Sequence, residues 1–479
     1  MRSRGRWTLL AMVAGLLASA RPAAAYDFSL GLRTIGQGYQ VRRFAADGSN
    51  ELLSRRRLTQ YMDLSVFDLA PAGWRGDDGD RNIIYFDASL RFDSDFGGYL
   101  LGRPTGPDEI RELQQNQFDI LYAFLGGRNI GGRVDFELGR QIHFDLVDFF
   151  AYDGGDAIVH ITRKFSVEAY GGTEVRGELP LSAPIYELDG TSAGSRDPAT
   201  RPDQNSMLRP LAGVAVAGGS DGGPLFARLA YRRVWSATAD QLPGEPSSGV
   251  NDEKLSLTAF AAWRDRIQAA GGVRFNLLLG EFDDEQLMVK LRTFGRQWLT
   301  LEYVYLAPTF DGDSIWNVFS SGAYRDLRGT YELALGPEVK AYGRGFARFF
   351  TASGHAGGAS VGATWRRGRG LVRGDGYWED GFGGLKLGLD ASARIALRRT
   401  FELEGRLTGY HWHADASSDI SSATARATND AGVVFGGQAG GRWLLGQGVR
   451  LHLLFEDNVG TYYLSQFRGL AVVEVDASL

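Results

Sequence analysis

The segment from residue 385 to residue 397 reads LKLGLDASARIAL, and its side chains alternate between two rows. One row is apolar throughout, and the other carries charge, hydroxyl or very small side chains. Such period-2 alternation is typical of a β-strand with one apolar face and one polar face. The apolar row is Leu385, Leu387, Leu389, Ala391, Ala393, Ile395 and Leu397, and the other is Lys386, Gly388, Asp390, Ser392, Arg394 and Ala396.

The same alternation recurs along the chain and predicts an all-β protein. Clear copies lie at residues 84–92, 401–408 and 449–456, and 22 candidate strands can be counted in total. Missing or splitting one hairpin changes the count by two, so we predict about 18–22 strands. No helical pattern longer than two turns stands out.

The lengths of the connections distinguish a membrane barrel from a soluble sandwich. Long gaps follow candidate strands 3, 7, 9, 13 and 19, whereas short turns follow strands 6, 8, 10, 12, 14, 18 and 20. Long loops at one end and tight turns at the other are typical of transmembrane β-barrels. We therefore predict a single closed antiparallel transmembrane β-barrel over residues 26–479, with short periplasmic turns, long extracellular loops and both termini at the short-turn end. The long gaps lie near residues 95–116, 177–207, 238–252, 307–327 and 413–430.

The first residues have the three parts of a secretory signal peptide. Arg2, Arg4 and Arg6 precede an apolar stretch at 7–20, and Ala23-Ala24-Ala25 supplies small residues before Tyr26. This pattern predicts a signal peptide at 1–25, cleaved after Ala25. The alternative, a transmembrane anchor, is disfavoured because the apolar stretch is too short to cross about 30 Å of hydrocarbon as a helix.

Composition excludes several other classes. The chain has no cysteine, which excludes disulfide scaffolds and cysteine-dependent zinc sites. Residues 1–25 hold four arginines and no acid, so their removal changes the formal net charge from −5 to −9. An acidic protein has no electrostatic reason to bind nucleic acid. The 65 glycines, the abundant aromatic residues and the mean hydropathy of −0.20 fit a barrel, whose strands show lipid only every second residue.

The polar rows predict a charge-lined lumen. Inward charges of both signs could select solutes in a wetted path, or could neutralise one another and merely hold the barrel wall. Both alternatives stay open for each residue. The lumen-lining candidates are Asp87, Arg91, Arg133, Asp135, Glu137, Arg228, Arg232, Lys290, Arg292, Lys386, Asp390, Arg394, Glu402, Glu404, Arg406 and Arg450.

Two loops are candidates for narrowing so wide a barrel. One is 95–116, and the other is 145–155, which we expect to fold inward and to form a constriction with Phe144, Asp148, Phe149 and Phe150. Arg140 departs from the alternation because it falls on an apolar row. A bulge, an interfacial depth or a position above the membrane would explain it.

Metal sites and catalysis are disfavoured. His411 and His413 share a strand face, but only Asp415 stands near them as a further ligand. The acidic groups at 283–285 and 311–313 lack the spacing of a complete calcium loop. None of the six histidines stands beside a recognisable nucleophile motif. We predict no cofactor, no metal and no enzymatic activity.

One part of the sequence resembles a known group of proteins. The segments Leu138-Gly139-Arg140-Gln141, 152–156 (YDGGD) and 170–172 (YGG) resemble a stretch of porin-type barrels of the alginate-export kind from bacterial outer membranes. There a Gly-Arg-Gln strand end is followed by an Asp-Gly turn into the next strand. The resemblance implies a porin-like channel, and it does not imply alginate as the solute.

Together these patterns predict a porin-like channel in the outer membrane of a Gram-negative bacterium, for passive passage of small hydrophilic solutes. The alternative is a structural or docking barrel that anchors or sheathes other envelope proteins. The expected surroundings are outer-membrane lipid and small solutes, with an envelope protein partner or a second copy of the chain as further possibilities.

Overall fold

The computed structural model describes most of the chain after residue 26, with gaps at several connections. Within these residues, 22 strands form one antiparallel sheet. The described ranges are 27–44, 50–70, 83–95, 117–144, 146, 149–175, 209–219, 223–235, 249–264, 266–307, 323–351, 354–381, 384–413, 431–446, 448–461 and 463–478.

The strands follow one another around the sheet in chain order, and each pairs with the next. Their bounds are β1 Asp27–Phe44, β2 Asn50–Phe67, β3 Ile83–Asp95, β4 Gln117–Ile130, β5 Val134–Phe144, β6 Phe149–Thr162, β7 Phe165–Glu174, β8 Pro210–Gly219, β9 Leu225–Trp235, β10 Val250–Trp263, β11 Ile267–Asn276, β12 Glu281–Arg292, β13 Trp298–Leu306, β14 Tyr324–Ala334, β15 Val339–Phe350, β16 Gly354–Arg367, β17 Gly370–Gly381, β18 Leu385–Arg398, β19 Phe401–His413, β20 Ala431–Gly446, β21 Val449–Gly460 and β22 Tyr463–Ser478.

The sheet is closed into a barrel by its first and last strands. β1 pairs antiparallel with β22 in an unbroken register from Ser29 opposite Ser478 to Val41 opposite Gln466. Closure leaves no edge strand whose backbone N–H and C=O groups lack a partner, which is the condition for placing a sheet in lipid. The predicted fold class is therefore confirmed, at the upper limit of the predicted strand count.

The two ends of the barrel differ in their connections. We call the end at which the odd-numbered strands finish the long-loop end, because the largest sequence separations between consecutive strands fall there, after β3, β7 and β13. The other end, the turn end, holds the connections after the even-numbered strands, the start of β1 and the end of β22. Its connections are two to five residues long, as at 163–164 and 335–338, with 68–82 as the exception. The predicted asymmetry is confirmed, and the start of β1 and the end of β22 lie at the predicted end of the barrel.

Alternation along the strands separates an apolar outer surface from a polar inner one. Leu387 and Leu389 of β18 are 56% and 70% exposed, and Lys386 and Asp390 lie on the opposite face. The register carries the same segregation from strand to strand, so that apolar side chains face outward around the barrel. An exposed apolar belt of this extent is suited to contact with lipid. Examples are Leu138, Leu255, Leu301, Leu327, Val361, Leu407 and Phe435.

Several glycines of the inner surface serve as seats for aromatic rings on the neighbouring strand. A Cβ at Gly126 would overlap the ring of Tyr85, and a Cβ at Gly213 would overlap the ring of Tyr170. Rings laid over glycines shield the exposed backbone and help to fix the register of adjacent strands. The high glycine content thus has a structural role in this barrel.

Among the described residues, no helix is long and apolar enough to cross a membrane.

Candidate functional site: the inner wall of the barrel

The structure places almost all of the predicted lumen residues on the inner face of their strands. The register links them across strands: Arg91 lies opposite Asp119, Lys254 opposite Arg232, and Arg406 opposite Ser392. Arg133 is the exception, because it lies in the turn between β4 and β5 at the turn end. The inner residues are Asp87, Arg91, Asp135, Glu137, Arg228, Arg232, Lys290, Arg292, Lys386, Asp390, Arg394, Glu402, Glu404, Arg406 and Arg450.

On strands β2 to β14, many inner polar residues are buried. We call the inner surface of these strands the packed arc. Arg91 is 6% exposed and contacts Asp93 at 3.2 Å as well as Asp119, and Arg228 contacts Glu168 at 2.9 Å with both side chains 12% exposed. In these pairs the desolvation of each charged group is offset by charge-assisted hydrogen bonds to its counter-charge.

Asp326 of β14 is the most deeply buried carboxylate of this arc, together with Asp283. Asp326 has no exposed side-chain surface, and it accepts hydrogen bonds from Arg328 at 2.7 Å and Arg348 at 2.6 Å. Asp283 is equally buried and accepts from Arg274 at 2.7 Å. Asp283 of β12 pairs with Arg274 of β11, and Asp326 of β14 pairs with Arg348 of β15. These ion pairs therefore link adjacent strands and stabilise the barrel wall.

An aromatic cluster covers part of the packed arc. Phe150, Tyr152 and Tyr170 pack with Leu211 and Val234, and all five are at most 6% exposed. His143 stacks on Phe150 with 4.8 Å between ring centroids, and the guanidinium of Arg232 lies 4.3 Å from the centroid of the same ring. The Tyr152 hydroxyl donates to Gln141 at 2.8 Å. This cluster locally fixes the inner surface of β5 to β9.

The prediction of a constriction loop over 145–155 is wrong for residues 149–155, which form part of a strand. Residues 149–155 belong to β6 and pair with β5, with Phe144 opposite Phe149. By alternation these two rings face outward, where they are 80% and 47% exposed, while Phe150 faces inward and is buried. The sequence could not separate strand from loop here because apolar residues occupy both faces at the strand ends. Asp148 lies outside the described residues.

On strands β17 to β22 and β1, the inner charges are far more accessible. We call this surface the open arc. Its arginines are paired with carboxylates, as in Arg406 with Asp390 and Arg450 with Glu474, yet these arginines are 58% and 55% exposed. The carboxylates are less exposed, at 16% and 26%. The guanidinium groups therefore present most of the accessible charge. Further members are Arg33, Arg373, Arg394, Arg442 and Arg468, all 45–55% exposed.

The sign of the inner charge also changes around the barrel. On β2 to β7 the described inner face carries many carboxylates and only the arginines Arg91 and Arg128. On β15, half of the way around a 22-strand barrel from β4, the inner row carries Lys340, Arg344 and Arg348. The two sides of the lumen thus differ in charge. The carboxylates are Asp63, Asp87, Asp93, Asp119, Asp135, Glu137, Asp156, Glu168 and Glu174.

Sequence reasoning missed the basic row of β15, although its signal was present. Residues 339–350 read VKAYGRGFARFF, in which every second residue is a cation or an aromatic ring. The facing strand β16 is rich in glycine, and a Cβ at Gly358 or Gly362 would overlap the ring of Phe346 or Tyr342. Because its apolar outer row is mostly small, the strand had no conspicuous apolar face.

Arg140 is accommodated by a partner rather than by a bulge that turns it inward. It faces outward four residues before the end of β5, and its guanidinium donates to Asp153 of β6 at 2.7 and 2.8 Å. It also donates to the backbone carbonyl of Ile120 at 3.1 Å. The neighbouring Gly139 has φ 136°, and a Cβ there would collide with the Ala123 carbonyl. Paired in this way, the charge is compatible with a position near the membrane surface.

The histidines do not form a metal centre in the described part of the chain. His160 contacts Asp135 at 2.9 Å, His452 contacts Glu404, and His411 and His413 lie on the outer face of β19. No group of three or more ligand-type residues is placed to hold a metal among the described residues. Asp415 and residues 311–313 lie outside the described residues.

A closed antiparallel barrel with an apolar outer belt and a charged inner wall defines a transmembrane β-barrel of the outer-membrane type. Comparisons with known proteins add no closer assignment. No protein-family model matches the sequence, and no curated protein matches it.

Solved structures of outer-membrane porins align with the chain over 95% of its length. They include Acinetobacter baumannii OccAB3, at 8% identity and TM-score 0.43 over 100% of that chain. Pseudomonas aeruginosa OpdL aligns at 11% identity and TM-score 0.42 over 99% of that chain. Pseudomonas aeruginosa OccK2 (OpdF), solved in complex with glucuronate, aligns at 9% identity and TM-score 0.41 over 98% of that chain. Since these scores are low, the functional conclusion rests on the geometry of the barrel itself.

Proposed function

We propose that this protein is an outer-membrane channel through which small hydrophilic solutes diffuse passively along the barrel lumen. In this proposal residues 1–25 are the export signal, the turn end faces the periplasm and the long-loop end faces the outside. The likeness of 138–172 to alginate-export porins stays a prediction, and alginate is not part of the proposal.

The observation that carries the proposal is the accessibility of the open arc. Arg394, Arg406 and Arg450 point into a closed barrel, and yet 45–58% of each side chain is exposed. Side chains enclosed by a wall can remain exposed only if water-accessible space lies beside them. Charged groups along such a space favour hydrated, polar solutes over apolar ones.

The direct test is the current through the refolded full-length protein in a planar bilayer. The proposal predicts stable single-channel steps in symmetric salt, and a reversal potential that differs from zero in a salt gradient. A variant in which Arg394, Arg406 and Arg468 are replaced by glutamine removes accessible positive charge. It should shift the reversal potential toward cation preference.

The matched control is removal of the buried pair Arg228 and Glu168, as the double variant R228Q/E168Q. Both side chains are 12% exposed and the substitution is neutral in net charge, so selectivity should stay as in the wild type. A folded barrel that never conducts would refute the channel and favour the structural or docking barrel. Copurification of an envelope partner would then be the next measurement.

A further inference from the structure

A cavity of about 440 Å³ lies in the inner wall at the turn end, beneath the β18–β19 and β20–β21 turns. It is separate from the buried networks of the packed arc. Positive groups outnumber negative ones along its lining. The charged lining consists of Arg398, Arg399, Arg442 and Arg450 together with Glu402 and Glu474, and His452 completes it.

The order of charges across the strands concentrates the positive groups at the centre of the cavity. Glu402 of β19 lies opposite Arg442 of β20, and Arg450 of β21 lies opposite Glu474 of β22. The two acidic positions therefore flank two adjacent basic strands. Arg442 is paired in register with His452, so Arg442 and Arg450 are diagonal neighbours, with Cα atoms roughly 7–8 Å apart.

The local carboxylates are already shared between several cations. Glu404 is contacted by Arg442 at 3.0 Å and also by His452, and Glu474 is contacted by Arg450 at 3.2 Å and by Arg33 at 3.0 Å. A guanidinium group has five N–H donors, more than one carboxylate contact can use. Since Arg442 and Arg450 are 49% and 55% exposed, both can still reach a ligand.

We propose that this cavity is a binding site for a small anion with two separated negative charges, held between the guanidinium groups of Arg442 and Arg450. Each guanidinium binds one carboxylate-like end, for which its planar fork is well suited. Arg398 and Arg399, exposed at the β18–β19 turn, add positive potential at the mouth of the cavity. The site needs a folded barrel and does not need conduction.

The test is calorimetric titration of the detergent-solubilised full-length protein with succinate, and in parallel with inorganic phosphate, at low salt. We expect saturable binding of succinate at one site, with weaker binding of phosphate because its charges are not separated. R442Q and R450Q should each weaken succinate binding about tenfold, the loss of one charge-assisted contact. E402Q, which removes a negative charge from the same lining, should tighten it.

Arg373 supplies the matched control. It is inward, 55% exposed and paired with Asp375 at 3.2 Å, but it lies on β17 outside the cavity. R373Q should bind succinate like the wild type. The proposal is overturned if the wild type shows no saturable binding, if R373Q loses as much affinity as R442Q, or if phosphate binds more tightly than succinate. None of these outcomes bears on whether the barrel conducts, and each variant is first checked for the heat-modifiable mobility of a folded barrel.

Discussion

The packed arc and the open arc are built from the same kind of ion pair, but they differ in how much water reaches it. In the packed arc, Asp326 has no exposed surface, and its two arginines are 38% and 30% exposed. In the open arc, Asp390 is 16% exposed, and its partner Arg406 is 58% exposed. A buried charge must keep its partner, and an exposed one can be solvated instead. The difference indicates that similar residues hold the wall on one side of the barrel and border the proposed solute path on the other.

The largest expected effect comes from neutralising the buried carboxylate. Asp326→Asn leaves Arg328 and Arg348 without their shared counter-charge, and we expect a loss of about 3 kcal/mol in the free energy of unfolding. Asp390→Asn removes the corresponding group of the open arc and should cost less than about 1 kcal/mol because Arg406 can turn to water. Urea unfolding of the refolded variants in lipid vesicles measures both. Equal losses would remove the distinction between the two arcs.

A second comparison uses the glycines that seat aromatic rings. Gly213 lies under Tyr170, which is 6% exposed within the aromatic cluster, whereas Gly388 lies under the less enclosed Tyr377 of the open arc. Gly213→Ala should cost about 2 kcal/mol because the ring has no room to move, in the range known for overpacked cores. Gly388→Ala should cost clearly less, since Tyr377 can swing into the lumen. The same urea unfolding assay measures both variants. A larger loss of unfolding free energy for Gly388→Ala than for Gly213→Ala would contradict the packing difference.

The smallest effect is expected on the outer face, at the pair of Arg140 and Asp153. Asp153→Leu removes the carboxylate that neutralises Arg140 close to the membrane surface, which should cost about 1 kcal/mol. The double variant R140L/D153L should be more stable than the sum of the two single losses predicts. A double-mutant cycle on unfolding free energies measures this coupling. Strictly additive losses would show that the two side chains do not stabilise each other.

The sequence was sufficient for the barrel because its alternation and loop lengths are local properties of the chain. The positions of the long gaps, and the inner row of β18 with Lys386 and Asp390, could be read without knowing any neighbour. Burial could not be read in this way, because it depends on which strands and rings come together. Nothing in the sequence distinguishes Asp326 from Asp390, and Phe150 differs from Phe149 only through the register of β6 with β5.

Neither the resemblance nor the composition predicted how charge is distributed around the lumen. That distribution is a sum over many strands, of which each contributes one or two inner charges. Arg348 of β15 is an example, because only the closed barrel places its strand across the lumen from the acidic strands β2 to β7.

The most direct test of the channel and its open arc is cysteine accessibility in the conducting protein, since the chain has no cysteine of its own. Ser392→Cys lies on the inner row of β18, Ala393→Cys on the outer row, and Ser256→Cys in the packed arc, where Ser256 is 5% exposed. A charged, membrane-impermeant thiol reagent should reduce the single-channel current of Ser392→Cys and leave the other two unchanged. A reduced current for Ala393→Cys, or none for Ser392→Cys, would contradict the proposed solute path.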